Sequence, residues 1–451
     1  MDRLSPLDAL FLAIEDEDRS ASLAIGSVAV LEGPAPARHD LAATIGSRLS
    51  SQPRYRQRLR RYPLDVASPA WIDEHTFDPA SHVHRIAVPA PGDDAALREL
   101  VALLMSERLP RDRPLWECWV IEGLAGGRWA VLSKVHHCLT DGVAGSGLHE
   151  VLFSDEPVPA RPPQPAAEPG VLSLLAGVVR SPRLLLAQLT GALRGLVKLA
   201  TALTPPAPSS LRGEINSDRR YAMIDTPLDE IRRIAAGFGV TVNDVVLAAI
   251  TSGLRELLLA RREVPSPASV RSLVPVSVRT RAEKSTLDNR ISLMLPMLPV
   301  DVADPVERLR KVHERLVVHK AGREREAGQA VLALAGHEPY PAVSWALHAA
   351  PWLFGHVLVT VTTNVPGPRK PLQLLGRRVV ALYPYVPIAL RLRIGVAVLS
   401  HHDRLAFGVT ADFDSVPDVD VVVRAIDEDL DQLGKAVPGT GGSHAAHRPP
   451  R

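Results

Sequence analysis

The chain is short of cysteine, of aromatic residues and of any surplus of one charge, and each shortage closes off a class of function. Two cysteines, Cys118 and Cys138, in 451 residues cannot build a disulfide framework, so a reducing compartment is the default expectation. Phe, Tyr and Trp make up only 4% of the chain, too little for base-stacking platforms. Lys and Arg number 52 against 50 Asp and Glu, a net charge of +2, whereas a chain living on phosphate contacts carries a clear basic surplus. Nucleic acid is therefore not the expected partner. A membrane-spanning helix needs about 20 mostly apolar residues. The candidates fail: residues 184–193 are bracketed by Arg183 and Arg194, and residues 342–364 are broken by Pro351 and the strand-like VLVTVTT. The opening MDRLSPLDALFLAIEDEDR lacks the positive n-region, long h-region and cleavage site of a secretory signal. The expectation is a soluble or peripheral protein.

What is present is an ordinary globular composition, 46% hydrophobic and 23% charged, with length for two or three domains. The 40 prolines announce long connections. Strand-like SLAIGSVAVLEG precedes helical patterns over residues 39–49 and 94–109. LWECWVIEGL and RWAVLSKVHH, separated by Gly126-Gly127, predict a hairpin. Later, TVNDVVLAAITSGLRELLLARR predicts a long helix with Thr241, Asn243 and Asp244 as cap and first-turn residues. Strands follow at ASVRSLVPVSVR, ISLMLPMLPV, VLVTVTTN, RIGVAVLS and RLAFGVTAD, with helices at VERLRKVHERLVVHK and over residues 418–433. Strands and helices intermix without strict βαβ alternation. The expected fold is α/β, two mixed-sheet domains with a site between them. The first spans residues 1–157. Residues 158–214 form a Pro-rich linker and a Leu-rich connector, residues 215–437 the second domain, and residues 438–451 a disordered tail. Within the connector, residues 171–203 carry only basic charges (Arg180, Arg183, Arg194, Lys198). They read either as an amphipathic helix pair on anionic lipid or as a connector packed on its own protein.

The most informative segment is KVHHCLTDGVAG, residues 134–145. Strand alternation through Trp129, Val131, Ser133 and Val135 puts His137 on one face and His136 on the other. Two imidazoles pointing apart disfavour a shared metal, and no metal is expected. Asp141 and Gly142 close a turn behind the strand, where Asp141 could brace the backbone or pair with a buried arginine and Gly142 permits positive φ. An imidazole at a strand end with a braced turn suits a general base. A satisfied core pair is the alternative reading, and no GxSxG elbow accompanies Ser133.

HHCLTDG resembles the HHxxxDG motif of the coenzyme A-dependent acyltransferase superfamily, which includes chloramphenicol acetyltransferase-like enzymes and peptide-synthetase condensation domains. LSPLDALFLAIE at Leu4, FDPASHVHR at Phe77, RPLWECWVIEGLAGGRWAV at Arg113, TVNDVVLA at Thr241, VPVSVRT at Val274, NVPGP at Asn364 and the closing FGVTADFDSVPD narrow it. Together they resemble bacterial wax ester synthase/acyl-CoA:diacylglycerol acyltransferases, in order from residue 4 to about residue 433.

That resemblance implies two chloramphenicol acetyltransferase-like domains with the active site and substrate channel at their interface. It implies an O-acyltransferase joining a long-chain acyl-CoA, as co-substrate, to diacylglycerol or a long-chain alcohol, with no further cofactor. His137 would be the general base of a ternary-complex mechanism, His136 a supporting residue, and Asp141 an orienting one paired with Arg279. Asn243 would donate to the oxyanion or cap its helix. Pro114, Leu115 and Trp116 would line or support the acyl channel, and Asn364, Pro366 and Gly367 would shape the cleft. The enzyme would be cytoplasmic, or peripheral at the inner membrane or lipid droplets. Three departures from the family pattern stand out. Cys138 replaces a common Ala and invites a Cys-His nucleophile reading, against which strand alternation points it away from the His137 beside it, Asp288 precedes Asn289 in place of Gly, and His401-His402 replace a Ser-Tyr pair. The His401-His402 segment reads either as an acceptor-side feature or as an exposed hairpin turn. Two other functions stay open: the same fold acylating another hydroxyl, such as a polyketide or glycolipid, and a non-catalytic lipid-surface protein.

Overall fold

The computed structural model describes residues 2–62, 67–74, 76–139, 144–153, 205–277, 291–321 and 355–438. Asp141, Gly142, Arg279, Asp288, the connector over residues 171–203 and the tail beyond residue 438 lie outside the described residues.

The first part of the chain runs β1 (Asp2–Arg3), α1 (Pro6–Glu17), β2 (Ala24–Leu31), α2 (Arg38–Ser50), β3 (Gln57–Arg60), β4 (Ala70–Asp73), β5 (Val83–Ala87), α3 (Asp94–Ser106), β6 (Trp116–Leu124), β7 (Arg128–His136) and α4 (Ala144–Phe153). Local chemistry sets these limits. Ser5 caps α1 by accepting the Asp8 N–H, with Pro6 at the first helical position, where its missing N–H costs nothing. Gly126 and Gly127 take φ of 73° and 67° and fold β6 back on β7, as the alternating runs predict.

The second part runs β8 (Arg219–Pro227), α5 (Leu228–Phe238), α6 (Val242–Ala260), β9 (Ser272–Ser277), β10 (Ile291–Met294), α7 (Pro305–Ala321), β11 (Thr360–Val365), β12 (Gln373–Leu374), β13 (Arg377–Tyr385), β14 (Ile394–His401), β15 (Arg404–Asp412) and α8 (Asp420–Ala436). Thr241 and Asp244 cap α6 reciprocally, side chain to backbone N–H in both directions. Most side chains of α6 are buried, and it forms the centre of the second core with α5, α7 and α8 around it. There Arg308 of α7 and Asp429 of α8 form a buried ion pair, and Arg308 also donates to Ser252 Oγ (3.1 Å) and Val302 O (2.7 Å). Among the described residues no single helix is long and apolar enough to cross a membrane.

Two six-stranded mixed sheets organise these elements, in the α/β class expected, with a small third sheet of β1, β4 and β3. One large sheet has the order β10-β9-β11-β14-β15-β8, the other β12-β13-β2-β7-β6-β5. The lobes are therefore not contiguous in sequence, which corrects the expected boundaries. β13 leaves the second lobe and pairs antiparallel with β2, from Val379 opposite Leu31 to Tyr385 opposite Gly26. Backbone hydrogen bonding is satisfied by whichever edge lies nearest in space, and that edge belongs to the first lobe. Residues 205–214, expected as connector, also belong to the second lobe: Leu211 is fully buried in its core and Ala207 N–H donates to Ala268 O.

The crossing is held tightly. Tyr221 Oη donates to Pro384 O (2.7 Å), and Tyr383 Oη donates to Asp225, which also receives Arg404. A Cβ at Gly408 would sit 1.8 Å from Pro384 O, so only glycine lets β15 approach β13 this closely.

Candidate active site

The alternation read from the sequence holds along β7 as far as His136 and then stops. His136 is the last strand residue, paired with Ala24 of β2, and its N–H donates to Leu115 O (3.0 Å). His137 begins a 3-10 turn ending at Leu139, so its side chain is aimed by the turn and not by the strand. Its own N–H donates to Leu23 O at 3.0 Å.

Helix α1 covers this turn with one face. Phe11 stacks on the half-buried His137 ring, and Glu15, one helical turn later, reaches His136. The Cys138 N–H donates to His136 Nδ1 (3.2 Å), which leaves the ring hydrogen on Nε2, 3.4 Å from Glu15 Oε2. Glu15 Oε1 accepts the Leu23 N–H (2.9 Å), and Oε2 accepts from Arg111 (2.6 Å). Burial would raise the Glu15 carboxyl, but His136, Arg111 and the Leu23 N–H outweigh it and hold the group at about 2. Removal from water pushes His137 down to about 4. At neutral pH its imidazole is thus unprotonated and able to accept a proton. Neither Phe11 nor Glu15 stood out in the sequence. Their spacing of four in LSPLDALFLAIE was the available signal, and it looks the same as a core face.

Cys138 is not arranged as expected for a nucleophile. The alternation argument does not apply to it, because it lies in the turn, and its Sγ is 3.0 Å from His136 Nδ1 rather than beside His137. Burial raises its thiol well above the usual range.

Pro114, Leu115 and Trp116 are all buried, the last two in the first core. Trp116 Nε1 donates to Tyr55 O (2.8 Å), and its carbonyl accepts from His82 of FDPASHVHR (2.7 Å). These three brace the strand that carries His136.

Two other predicted groups come together. Asn364, near the end of β11, donates to Asn243 Oδ1 at 3.2 Å, so NVPGP is tied to the start of α6. Thr241 holds the cap position, while Asn243 is half-buried in the first turn. Asp244 is spent on the cap and on His313 (2.8 Å). Gly367 N–H donates to Ser400 Oγ (3.1 Å), and Pro366 beside it is exposed. His402 is an exposed turn residue with φ of 52°, whereas His401 is buried, so the exposed-turn reading applies to one of the two. A polar cluster missed in the sequence lies within the first lobe: His149 of α4 bonds Ser27 Oγ (2.7 Å), which bonds Ser133 Oγ (2.9 Å).

The turn can supply a neutral imidazole stacked under Phe11 on a backbone held by Leu23 O, and the second lobe carries the Asn243–Asn364 amide pair. The family model of the wax ester synthase/diacylglycerol acyltransferase catalytic domain matches residues 4–246, and that of the WS/DGAT C-terminal domain matches residues 287–434. A probable diacylglycerol O-acyltransferase, tgs1, of Mycobacterium tuberculosis strain H37Rv is 45% identical over 96% of both chains. The solved wax ester synthase/diacylglycerol acyltransferase of Marinobacter aquaeolei VT8 superposes with a TM-score of 0.68 at 25% identity, covering 96% of this chain and 98% of that one. The first condensation domain of the calcium-dependent antibiotic synthetase shares the fold, with a TM-score of 0.60 at 16% identity over 97% of this chain and 98% of that one.

Proposed function

The chain belongs to the wax ester synthase/diacylglycerol acyltransferase family and is an acyl-CoA-dependent O-acyltransferase of neutral-lipid synthesis, and on that premise we propose how its residues divide the reaction. His137 is the general base. It removes the proton from the acceptor hydroxyl as the oxygen attacks the thioester carbonyl. The tetrahedral intermediate collapses with cleavage of the carbon–sulfur bond, and the imidazolium returns its proton to the departing CoA thiolate. A thiol with a pKa near about 8.5, by analogy with Cys, leaves without further assistance. No acyl-enzyme forms, both substrates are bound together, and no cofactor beyond acyl-CoA takes part. Water competes with the acceptor, so its exclusion matters as much as positioning.

The observation that carries this reading is the His137 ring, unprotonated beneath Phe11, on a residue whose backbone N–H donates to Leu23 O. Asn243 supports the oxyanion: Asn364 occupies its Oδ1, which leaves its NH2 as the donor, at the electropositive end of α6. The acceptor is diacylglycerol, in keeping with relatives named for that activity at 45% identity. A long-chain alcohol is the second acceptor to compare, given the Marinobacter structure. Substrates this insoluble favour a peripheral position at a membrane or lipid-droplet surface.

The test is release of free thiol from palmitoyl-CoA with dioleoylglycerol, with hexadecanol and with neither, by the wild type and His137→Ala. Dioleoylglycerol-dependent release that His137→Ala abolishes is expected. Equal release by the two proteins refutes the base, and a rate higher with hexadecanol refutes the acceptor.

A further inference from the structure

Glu15 is 1% exposed and ionised, in surroundings where a lone carboxylate would be costly. His136 and Arg111 are the side chains that keep it there. Arg111, in the loop between α3 and β6, donates through Nη2 to Glu15 Oε2 at 2.6 Å and through Nη1 to Asp16 Oδ1 at 2.5 Å. The second oxygen of Asp16 pairs with Arg61 at 2.9 Å. Arg111 therefore clamps two consecutive carboxylates at the end of α1.

Leu23 links this clamp to the chemistry. Its N–H donates to Glu15 Oε1, and its carbonyl accepts the His137 N–H. Glu15 also faces His136, whose Nδ1 fixes the Cys138 N–H one residue beyond His137. The peptide units on both sides of His137 are thus referred to one carboxylate, which Arg111 holds from the side away from the turn's own groups, Leu23 N–H and His136.

We infer that Arg111 is a positioning residue for acyl transfer: it fixes Glu15 and Asp16 together, and so the turn that presents His137, without touching either substrate. The inference rests on the reading of His137 as the base. A planar guanidinium spans two neighbouring carboxylates in one fixed geometry, which a lysine ammonium cannot do. With both arms already on carboxylates, Arg111 is not arranged to bind the phosphates of CoA, so its loss should leave substrate affinity alone.

The experiment uses the full-length chain with palmitoyl-CoA and dioleoylglycerol. It compares Arg111→Ala, Arg111→Lys, Glu15→Gln, the Arg111→Ala/Glu15→Gln double variant and His137→Ala, with thermal melts of each. Arg111→Ala should lower kcat by roughly 100-fold, as displacing a reacting group by about 1 Å does, and leave KM for palmitoyl-CoA within about twofold. Arg111→Lys should fall between it and the wild type. The double variant should be no slower than the slower single one, because residues acting as one unit do not add. Wild-type kcat in Arg111→Ala, a raised KM at unchanged kcat, or additive losses overturn the inference. If Arg111→Ala gives no cooperative melt, Arg111→Lys decides: a folded protein with reduced kcat supports the inference and one with full kcat overturns it. Retained turnover in His137→Ala refutes the base itself, whereas full kcat in Arg111→Ala beside an inactive His137→Ala refutes only the role of Arg111.

Discussion

Phe11 lies face to face with His137, the ring centroids 3.7 Å apart and the planes within 23° of parallel. The contact joins the first helix of the chain to the turn after β7 and takes water from one side of the imidazole. It also explains why the unprotonated form persists far below neutrality.

Phe11→Ala should therefore rewet the ring and let its pKa return toward 6.5. The base must be unprotonated, so activity is lost as pH falls through its pKa. The acid limb of kcat/KM should sit near pH 4 in the wild type and move up by roughly one to two pH units in the variant. Superimposable pH–rate profiles would show that Phe11 is not what sets the limb.

Cys138→Ala should keep turnover within about threefold of the wild type, because the thiol touches His136 and remains protonated. Thiol alkylation should leave the folded enzyme active. Loss of activity in step with labelling of Cys138 would revive a covalent route.

Acid should destabilise the fold through His149. Burial first, then the neighbouring His401, hold its pKa at about 4 against an ordinary 6.5. An unfolded chain takes up the proton that the folded one refuses, so stability is intact above pH 6.5 and declines as pH falls toward 4. The loss approaches roughly 3 kcal/mol at the lower end. Urea midpoints measured between those limits should show the decline, and His149→Gln should make it shallower, leaving the share of His137, which is likewise held at about 4. An equally steep decline in the variant would assign the effect elsewhere.

Arg308→Met should cost about 3–5 kcal/mol, because it strands the Asp429 carboxylate in the second core. Adding Asp429→Leu should recover most of that. A double variant no more stable than Arg308→Met would mean that packing around Arg308, and not its charge, is what the core needs.

Elements with strong periodicity or turn chemistry were legible in the sequence: the β6–β7 hairpin through Gly126-Gly127, α6 through Thr241 and Asp244, and the β14–β15 pair. The site was legible at His136 and His137 as residues, but not in its geometry. Alternation describes a side chain only while the strand lasts, and β7 ends at His136. Phe11, Glu15 and Arg111 were hidden for a different reason. An aromatic and a glutamate four apart on a helix, or an arginine before Pro114, acquire meaning only when distant segments meet. The same holds for β13: RRVVALYPY shows a strand-like composition, but nothing in it names β2 as the partner.

The β13 crossing also bears on how the chain is made. Ribosomes deliver β2 early and β13 late, so the edge of the first sheet stays unpaired until residue 385 has emerged. For most of synthesis that edge is an open template for wrong partners. An active enzyme therefore cannot be assembled one lobe at a time. A fragment ending before β12 lacks the strand that seals its own sheet.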